Sequence, residues 1–161
     1  MGYALVDLLT VRRHRVDKAT SLVAQRRKEL AQAEQNLRQR ETELADYREK
    51  RLLKEQALYD SIVGQAVLLK KLEEIKAEVQ VLRFEELAYE ERVLHAQKAV
   101  DDAHQQLQQA KQQLAKAVRA EEKLNEHRRL WDQEEFRRQQ VKEDLELEEL
   151  TFQPRLAGAS A

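Results

Sequence analysis

The sequence of 161 residues has no cysteine, one proline and three glycines. Without cysteine there can be no disulfide, thiolate zinc site or cysteine nucleophile, and this absence is typical of a reducing compartment. The rarity of proline and glycine leaves little to interrupt a helix. Aromatic residues make up only 5% of the chain, which is too little for a thick core. These scarcities argue against an ordinary globular domain.

Long hydrophobic runs are also missing. No apolar run approaches the ~18 residues that a membrane-spanning helix needs, and residues 1–7 lack the apolar stretch of a signal peptide. The net charge of -1 gives no general attraction to nucleic acid or to an anionic membrane. We therefore predict a cytosolic protein that neither binds nucleic acid nor inserts into a membrane.

Residues that could carry chemistry do not form recognisable sites. The histidines His14, His95, His104 and His127 are never three or four positions apart, so no two share a helical face as a metal pair. No glycine-rich phosphate loop is present. Paired carboxylates would need a concave pocket to perturb their pKa values, and two packed helices do not provide one. The sequence predicts no enzyme activity, no metal and no cofactor.

Charged residues are abundant, at 37%, and the apolar residues between them follow a seven-residue grid. Its a positions run from Leu9 to Leu114, and its d positions run from Leu5 to Trp131. This composition is typical of coiled coils rather than of disordered chains, because the apolar spacing is regular. A period of 3.5 residues places one apolar seam along a helix, and such a seam requires a partner helix.

The seam can be closed in two ways. One long helix could pair in parallel with a second copy, but Arg12, Arg26 and Arg40 would then each meet their own copy. Alternatively, the chain folds back near Gly64, because glycine accepts the positive φ that ends a helix. If facing residue numbers sum to about 126, Arg40 meets Glu86 and large side chains meet small ones, as close packing requires. Examples of such layers are Leu9–Ala117, Leu30–Ala96, Leu37–Tyr89 and Leu44–Leu82. The antiparallel hairpin is favoured, and the parallel dimer is the alternative.

The predicted fold is therefore all-α, a long antiparallel two-helix coiled-coil hairpin with a longer second helix, in a single domain. Proline 154 cannot continue a helix, so the end of the chain is predicted to be a disordered tail. The arms are unequal, and residues from about Lys123 onward have no partner in the predicted register. The predicted segments are a helix at 5–61, a bend at 62–65, a helix at 66–150 and a tail at 154–161, within the domain 1–161.

The overhanging part of the second helix has apolar side chains that its own chain would not cover. Uncovered apolar residues indicate a partner, and a tryptophan such as Trp131 is a typical interface anchor. Residues 132–150 contain three Lys/Arg and eight Asp/Glu, whereas residues 1–28 contain seven and two. The apolar residues of this overhang are Leu124, Leu130, Trp131, Phe136, Val141, Leu145, Leu147 and Leu150.

Two segments resemble a known family. Residues 5–19 read LVDLLTVRRHRVDKA, which looks like the opening of the YscO/CdsO (SctO) family of bacterial type III secretion proteins. Residues 121–131 read EEKLNEHRRLW, similar to a Glu/Lys-rich stretch that ends in tryptophan in these proteins. The family is similar in architecture to the flagellar protein FliJ. The order of features agrees as well, with a basic start, an early bend and a longer second helix.

The resemblance implies a stalk for the hexameric type III secretion ATPase, which also contacts an export gate protein and binds secretion chaperones. It implies a place in the bacterial cytoplasm, peripherally at the inner-membrane export apparatus. The implied ATPase end comprises Leu5, Leu9, Arg12, Arg13, Arg15, Trp131, Phe136, Val141 and Leu145. The implied gate end comprises Tyr47, Leu68, Leu72, Ile75 and Val79. Arg51 departs from the family pattern, which has an aromatic there.

One other function remains open at this stage. A generic dimeric coiled-coil scaffold or tether would follow from the parallel pairing. A helical arm that binds nucleic acid would need more positive charge and interleaved aromatic residues.

Overall fold

The computed structural model describes residues 2–64, 66 and 69–159, with side chains up to residue 152. Two helices, α1 at Val6–Asp60 and α2 at Leu69–Ala159, make up nearly all of this part, and it contains no strand. The helices pack against each other in antiparallel fashion, with Tyr3 beside Trp131 and Tyr47 beside Tyr89. The all-α hairpin with a longer second helix is confirmed, and the parallel alternative is wrong.

Packing divides the chain into two units, each made from both helices. Unit 1 comprises Met1–Ser21 with Gln112–Ala161, and unit 2 comprises Leu22–Lys111. The predicted single domain stays a prediction.

The seam follows the predicted grid closely. Ten of the eleven buried apolar side chains occupy a or d positions, and only Tyr3 lies off the grid. Leu9, at an a position of unit 1, is 2% exposed, and Leu124 in the same unit is 5% exposed. In unit 2 the buried seam residues are Val23, Leu44, Ile75, Val79, Ala96, Val100, Leu107 and Ala110. Burial of this regular stripe is what holds two otherwise highly charged helices together.

The register of the hairpin differs from the predicted one. For each side-chain contact between the two arms, we add the numbers of the two residues. The sum is 130–134 in unit 1 and 129–138 in unit 2, so every contact lies above the predicted value of 126. The nearest sum that keeps a opposite d is 133, one heptad away. The predicted layers are therefore wrong. Arg40 pairs with Glu43 on its own helix, and Glu86 is taken by Arg48 and Arg51.

The physical reason is that a heptad pattern fixes which face is buried but not the register. Shifting one helix by seven residues again places every a position opposite a d position. Apolar matching alone therefore has several solutions one heptad apart. The choice depends on polar contacts outside the apolar seam and on the length of the turn, and the sequence grid contains neither.

The helix ends also differ in detail from the expected ones. The first helix ends at Asp60, and the second begins at Leu69 instead of residue 66. At its other end α2 continues to Ala159, beyond the expected end at 150 and through part of the segment predicted as a tail. A proline removes one helical hydrogen bond and kinks a helix, but it does not always stop one. Residues 160 and 161 lie outside the described part.

The turn contains the single positive φ angle among the described residues, +79° at Gly64. Ser61 N donates to Ala57 O, and Ile62 N donates to Tyr59 O, so the first helix tightens before it ends. A left-handed residue at this place is the usual way for a helix to end, and glycine takes that conformation without a Cβ penalty.

Gly64→Ala is expected to lower the free energy of unfolding by about 1–2 kcal/mol because alanine at positive φ is strained. A Cβ at Gly64 would meet no atom within 4 Å, so the loss would come from the backbone alone. Gly2→Ala is the matched control, since its Cβ also meets nothing within 4 Å and its φ is not positive. Chemical denaturation of both variants measures the difference, and equal stabilities would contradict the argument.

Candidate partner-binding surfaces

An aromatic cluster in unit 1 joins the beginning of the chain to α2. The ring centroid of Tyr3 lies 5.5 Å from that of Trp131 in an edge-on arrangement and 5.7 Å from that of His127. The Tyr3 hydroxyl also forms a hydrogen bond with His127 Nδ1. Trp131 is therefore half-buried against its own chain, which differs from its predicted place in an uncovered overhang. The sequence grid missed this cluster because Tyr3 lies off it.

The predicted basic residues of this end divide into bound and exposed side chains. Arg12 Nη1 donates to the carbonyl oxygen of Ala120 at 2.7 Å, and Arg13 Nε lies 3.8 Å from Glu121 Oε1. Arg15 is exposed, and Leu5 is 37% exposed. Leu9 is buried in the seam, so it supports the packing and cannot offer a surface to a partner.

Beyond Trp131, the second helix of unit 1 exposes a group of large apolar residues, which we call the terminal surface. Every member is at least 55% exposed. The terminal surface consists of Phe136, Val141, Leu145, Leu147, Leu150 and Phe152. Phe152 was missing from the predicted overhang, although its aromatic side chain could have been read from the sequence.

The terminal surface has two faces. Val141, Leu145 and Phe152 are spaced by 4 and 7 residues, which aligns them on one side of a helix with 3.6 residues per turn. Phe136, Leu147 and Leu150 are spaced by 11 and 3, which aligns them on roughly the opposite side. An ordinary surface helix has one apolar stripe. A segment with two opposite stripes can bury both only if it is contacted from both sides.

Acidic residues surround these apolar side chains. Residues 132–150 contain eight Asp/Glu against three Lys/Arg. A partner that covers this segment therefore has to supply basic side chains around apolar ones, since charge complementarity guides encounter and disfavours wrong partners.

In unit 2, most of the predicted gate-end residues belong to the seam. Ile75 and Val79 are each 5% exposed, and Leu72 is half-buried. Leu68 lies outside the described residues. Because buried seam residues cannot contact a partner without opening the helices, only Tyr47 remains as a predicted residue with a polar, accessible edge.

Tyr47 stacks on Tyr89, with ring centroids 4.5 Å apart and planes 19° apart. Its hydroxyl donates to the carbonyl oxygen of Leu82 and to a carboxylate oxygen of Glu85. Partial burial, together with the hydrogen bond to Glu85, raises the pKa of Tyr47. The guanidinium of Arg92 lies 4.9 Å from the centroid of the Tyr89 ring. This arrangement fixes the two rings and leaves one edge open to solvent.

Beside these tyrosines, six charged residues form what we call the charge cluster, which the sequence analysis missed. Arg48 forms salt bridges with Glu86 at 2.6 Å and with Glu90 at 3.0 Å, and Arg51 forms one with Glu55 at 3.0 Å. Arg83 completes it from α2, 3.2 Å from Glu55. Glu55 is only 8% exposed. Its burial raises its pKa, but the hydrogen bonds from Arg83 and Arg51 outweigh that effect and lower the pKa.

The charge cluster should make stability depend on acid pH. Since the folded-state pKa of Glu55 lies below its ordinary value of 4.5, its contribution is complete well above pH 4.5 and is lost as the pH falls through the lowered value. Glu55→Gln is expected to flatten this part of the profile and to lower stability at pH 7 by about 1–3 kcal/mol, because it removes the buried carboxylate that accepts hydrogen bonds from Arg51 and Arg83. Urea unfolding between pH 7 and pH 3 measures both effects.

The control for this experiment is Glu49→Gln, an exposed glutamate of the same helix with no ion pair among the described residues. A Glu55→Gln profile that coincides with the control profile would contradict the assignment.

The same unit also exposes apolar residues away from the seam. Val81, Phe84, Leu87 and Leu94 lie on α2 and are 54–74% exposed, and we call them the outer stripe. At one end the outer stripe adjoins an open groove of about 600 Å³, which is lined by both helices. The groove lining includes Ala57, Leu58, Ser61, Ala77, Val81 and Leu82. Most of these residues are exposed, whereas most of the described residues of the predicted gate-end set are buried or half-buried.

Within the described residues, neither helix is long and apolar enough to cross a membrane. No cluster of three or more possible metal ligands occurs in that part of the chain either.

Taken together, the fold defines an α-helical coiled-coil hairpin whose distinctive features are its exposed apolar surfaces. The family described as "Type III secretion protein YscO" matches residues 5–153. The chain belongs to the YscO family of type III secretion proteins.

Two solved structures are similar to it. One is the type III secretion protein YscO from Vibrio parahaemolyticus, with 29% identity and a TM-score of 0.80, covering 89% of this chain and 90% of that one. The other is a putative YscO homologue from Chlamydia trachomatis, with 26% identity and a TM-score of 0.78, covering 95% and 96%. No curated protein matches the sequence.

Proposed function

We propose that the protein is a non-enzymatic stalk of a type III secretion system, which binds the hexameric secretion ATPase through the terminal surface and contacts the export gate through unit 2. It acts in the bacterial cytoplasm, peripherally at the inner-membrane export apparatus. Membership of the YscO family supports a role in type III secretion. The ATPase, the gate and the secretion chaperones are proposed partners.

The observation that carries the ATPase contact is the two-sided terminal surface. A helix that exposes apolar residues on opposite sides suits a site that encloses it, such as the central opening of a ring of subunits. Its acidic character suits an opening lined by basic side chains. A flat docking site would cover only one of the two stripes.

The terminal surface also explains how a protein without catalytic groups could change the activity of an enzyme. An enclosed helix contacts several subunits at once, and its contacts with them differ because it has no rotational symmetry. A ligand that binds one state of a subunit better than another shifts the population toward that state. The proposed effect is therefore on oligomerisation or on the rate of ATP hydrolysis.

For the gate contact we propose the accessible features of unit 2, namely the open edge of Tyr47 and the outer stripe. The resemblance to FliJ-like proteins supports a contact near the bend. Because Ile75 and Val79 are buried in the seam, we assign the proposed contact to the exposed residues of the outer stripe and to Tyr47 instead. No surface for the chaperones is assigned.

The direct test is ATP hydrolysis by the cognate hexameric ATPase with and without this protein. We expect a higher rate or a higher fraction of hexamer when the protein is added. The same assay at 50 mM and 500 mM salt should show a weaker effect at high salt, because the proposed contact pairs acidic with basic residues. An unchanged rate and an unchanged oligomer at both salt concentrations would rule out the ATPase part of the proposal.

A further inference from the structure

We propose that α1 and α2, which are each one continuous helix, can pair in two registers one heptad apart, and that the charge cluster of unit 2 selects the observed one. The second register is the one in which facing residue numbers sum to 126 instead of 133. This proposal concerns the helix pair itself and does not depend on which partners bind it.

The apolar layers fit both registers. In the observed register Val23 lies level with Ala110, and both are buried. In the same register Leu30 lies level with Ala103, whereas in the second it would face Ala96. Each leucine or valine of these layers meets an alanine in either case, so the packed volumes are similar. In these layers the apolar seam therefore provides little free energy to choose between the registers.

The polar contacts do distinguish the registers. In the observed register Glu86 Oε1 accepts a hydrogen bond from Arg48 Nε at 2.6 Å, and Glu86 Oε2 lies 3.1 Å from Arg51 Nε. In the second, Glu86 would face Arg40, which now bonds only Glu43 of its own helix among the described residues. One carboxylate thus finds an arginine of the other helix in either register.

The observed register also carries a cost. Arg51 Nε is buried without an aligned hydrogen-bond acceptor in the described structure, although Glu86 is nearby. A buried donor without an aligned acceptor is unfavourable. The stacking of Tyr47 on Tyr89 and the bond between Arg83 and Glu55 offset this cost, and both contacts belong to the observed register alone. The bond between Arg51 and Glu55 lies within α1 and is kept in either register.

The connection between the helices is long enough for the shift. Eight positions, 61–68, separate Asp60 from Leu69. Among them only position 64 is a glycine and none is a proline, so the second helix could begin earlier. A shift of seven residues moves one helix along the other by about 10.5 Å.

Such a step is discrete, because intermediate positions would place a and d residues opposite polar ones. A partner that prefers one register would shift the population by a whole heptad and move one set of exposed residues past the other.

Cysteine pairs test this directly, because the chain has no cysteine of its own. In full-length protein, Leu30→Cys is combined with Ala103→Cys to report the observed register or with Ala96→Cys to report the second. The pair Leu30→Cys and Lys98→Cys is the control, since Lys98 is exposed and off the seam. Under mild oxidation we expect intramolecular disulfides in both reporting pairs, faster for Ala103, and none in the control.

Removing selective contacts should shift the balance. In the background Arg48→Ala with Glu55→Ala, the rate of the Ala96 disulfide relative to the Ala103 disulfide should rise about threefold to tenfold, because the ion pairs between the helices that hold the observed register are lost. In the background Arg40→Ala, the same ratio should fall. Circular dichroism confirms that each variant is folded.

Two results would overturn the proposal. One is an Ala96 pair that stays reduced in every folded background while the Ala103 pair oxidises completely. The other is an Ala96 disulfide no faster than the Lys98 control, which would indicate random collision and not a second register.

Discussion

Replacing Phe136, Val141 and Leu145 together by alanine is expected to remove most of the stimulation of the secretion ATPase. These side chains are 55–62% exposed and belong to both faces of the terminal surface. Interface anchors of this kind contribute about 1–2 kcal/mol each when truncated, so the triple change should weaken binding about 100-fold or more. Because they are exposed in the free protein, the unfolding temperature should change by only a few degrees.

The matched control for this variant is a second triple replacement, Leu52→Ala with Leu53→Ala and Leu94→Ala. These leucines are 57–68% exposed and lie in unit 2. The control should stimulate ATP hydrolysis as the unaltered protein does. If both triple variants stimulate equally, the terminal surface is not the ATPase contact, even if the protein as a whole does bind the ATPase.

Leu9→Ala is expected to lower the free energy of unfolding by about 2–5 kcal/mol, the usual cost of truncating a leucine in a packed interior. Among the described residues, Leu9 is the most deeply buried large side chain, at 2% exposed, and the observed register places it level with Leu124. Two helices form a thin core, so the neighbours of Leu9 can close around the gap only in part.

Leu8→Ala provides an unusually close control, because Leu8 is the next residue, has the same side chain and is 38% exposed. Its loss should cost less than about 1 kcal/mol. Denaturant titration of the two variants measures the difference. Equal effects on stability would mean that the seam of unit 1 does not pack as described. If Leu9→Ala lost ATPase stimulation without any loss of stability, Leu9 would contact the ATPase directly.

The buried face of each helix was predictable from the sequence because it depends on local spacing alone. The regular recurrence of residues such as Val23, Val79 and Val100 defines that face, and all three are buried. The reversal of the chain was also predictable, since Gly64 is the single glycine of the central region and takes a positive φ. These features need no knowledge of which residue meets which across the seam.

The register was not predictable, because the grid repeats. The contacts that identify it involve residues outside the apolar pattern, such as Tyr3 with Trp131, Arg48 with Glu86 and Glu55 with Arg83. Their energies depend on exact distances and on partial burial, which sequence spacing does not provide. The error of one heptad also explains why Trp131 was expected to be uncovered, since the shift brings that part of α2 level with the start of the chain.

The candidate surfaces were predictable in part. Phe136, Val141 and Leu145 were expected to be available and are exposed, because the apolar grid has already ended there. Near the bend the prediction selected seam residues, since a resemblance identifies a region of the chain more readily than a face of a helix. The exposed aromatic ring of Phe84 gives no periodic signal and became visible only in the structure.

The regular seam limits how this kind of protein can change in length during evolution. Adding seven residues to one arm only would leave that arm with a seam that nothing covers, whereas adding seven to each arm lengthens the pair and keeps every layer matched. Relatives with longer or shorter arms should therefore differ by matched heptads in both. Engineered variants with one added heptad in each arm should be more stable than variants with four added residues in a single arm, because four residues move the apolar side chains beyond the insertion off the seam.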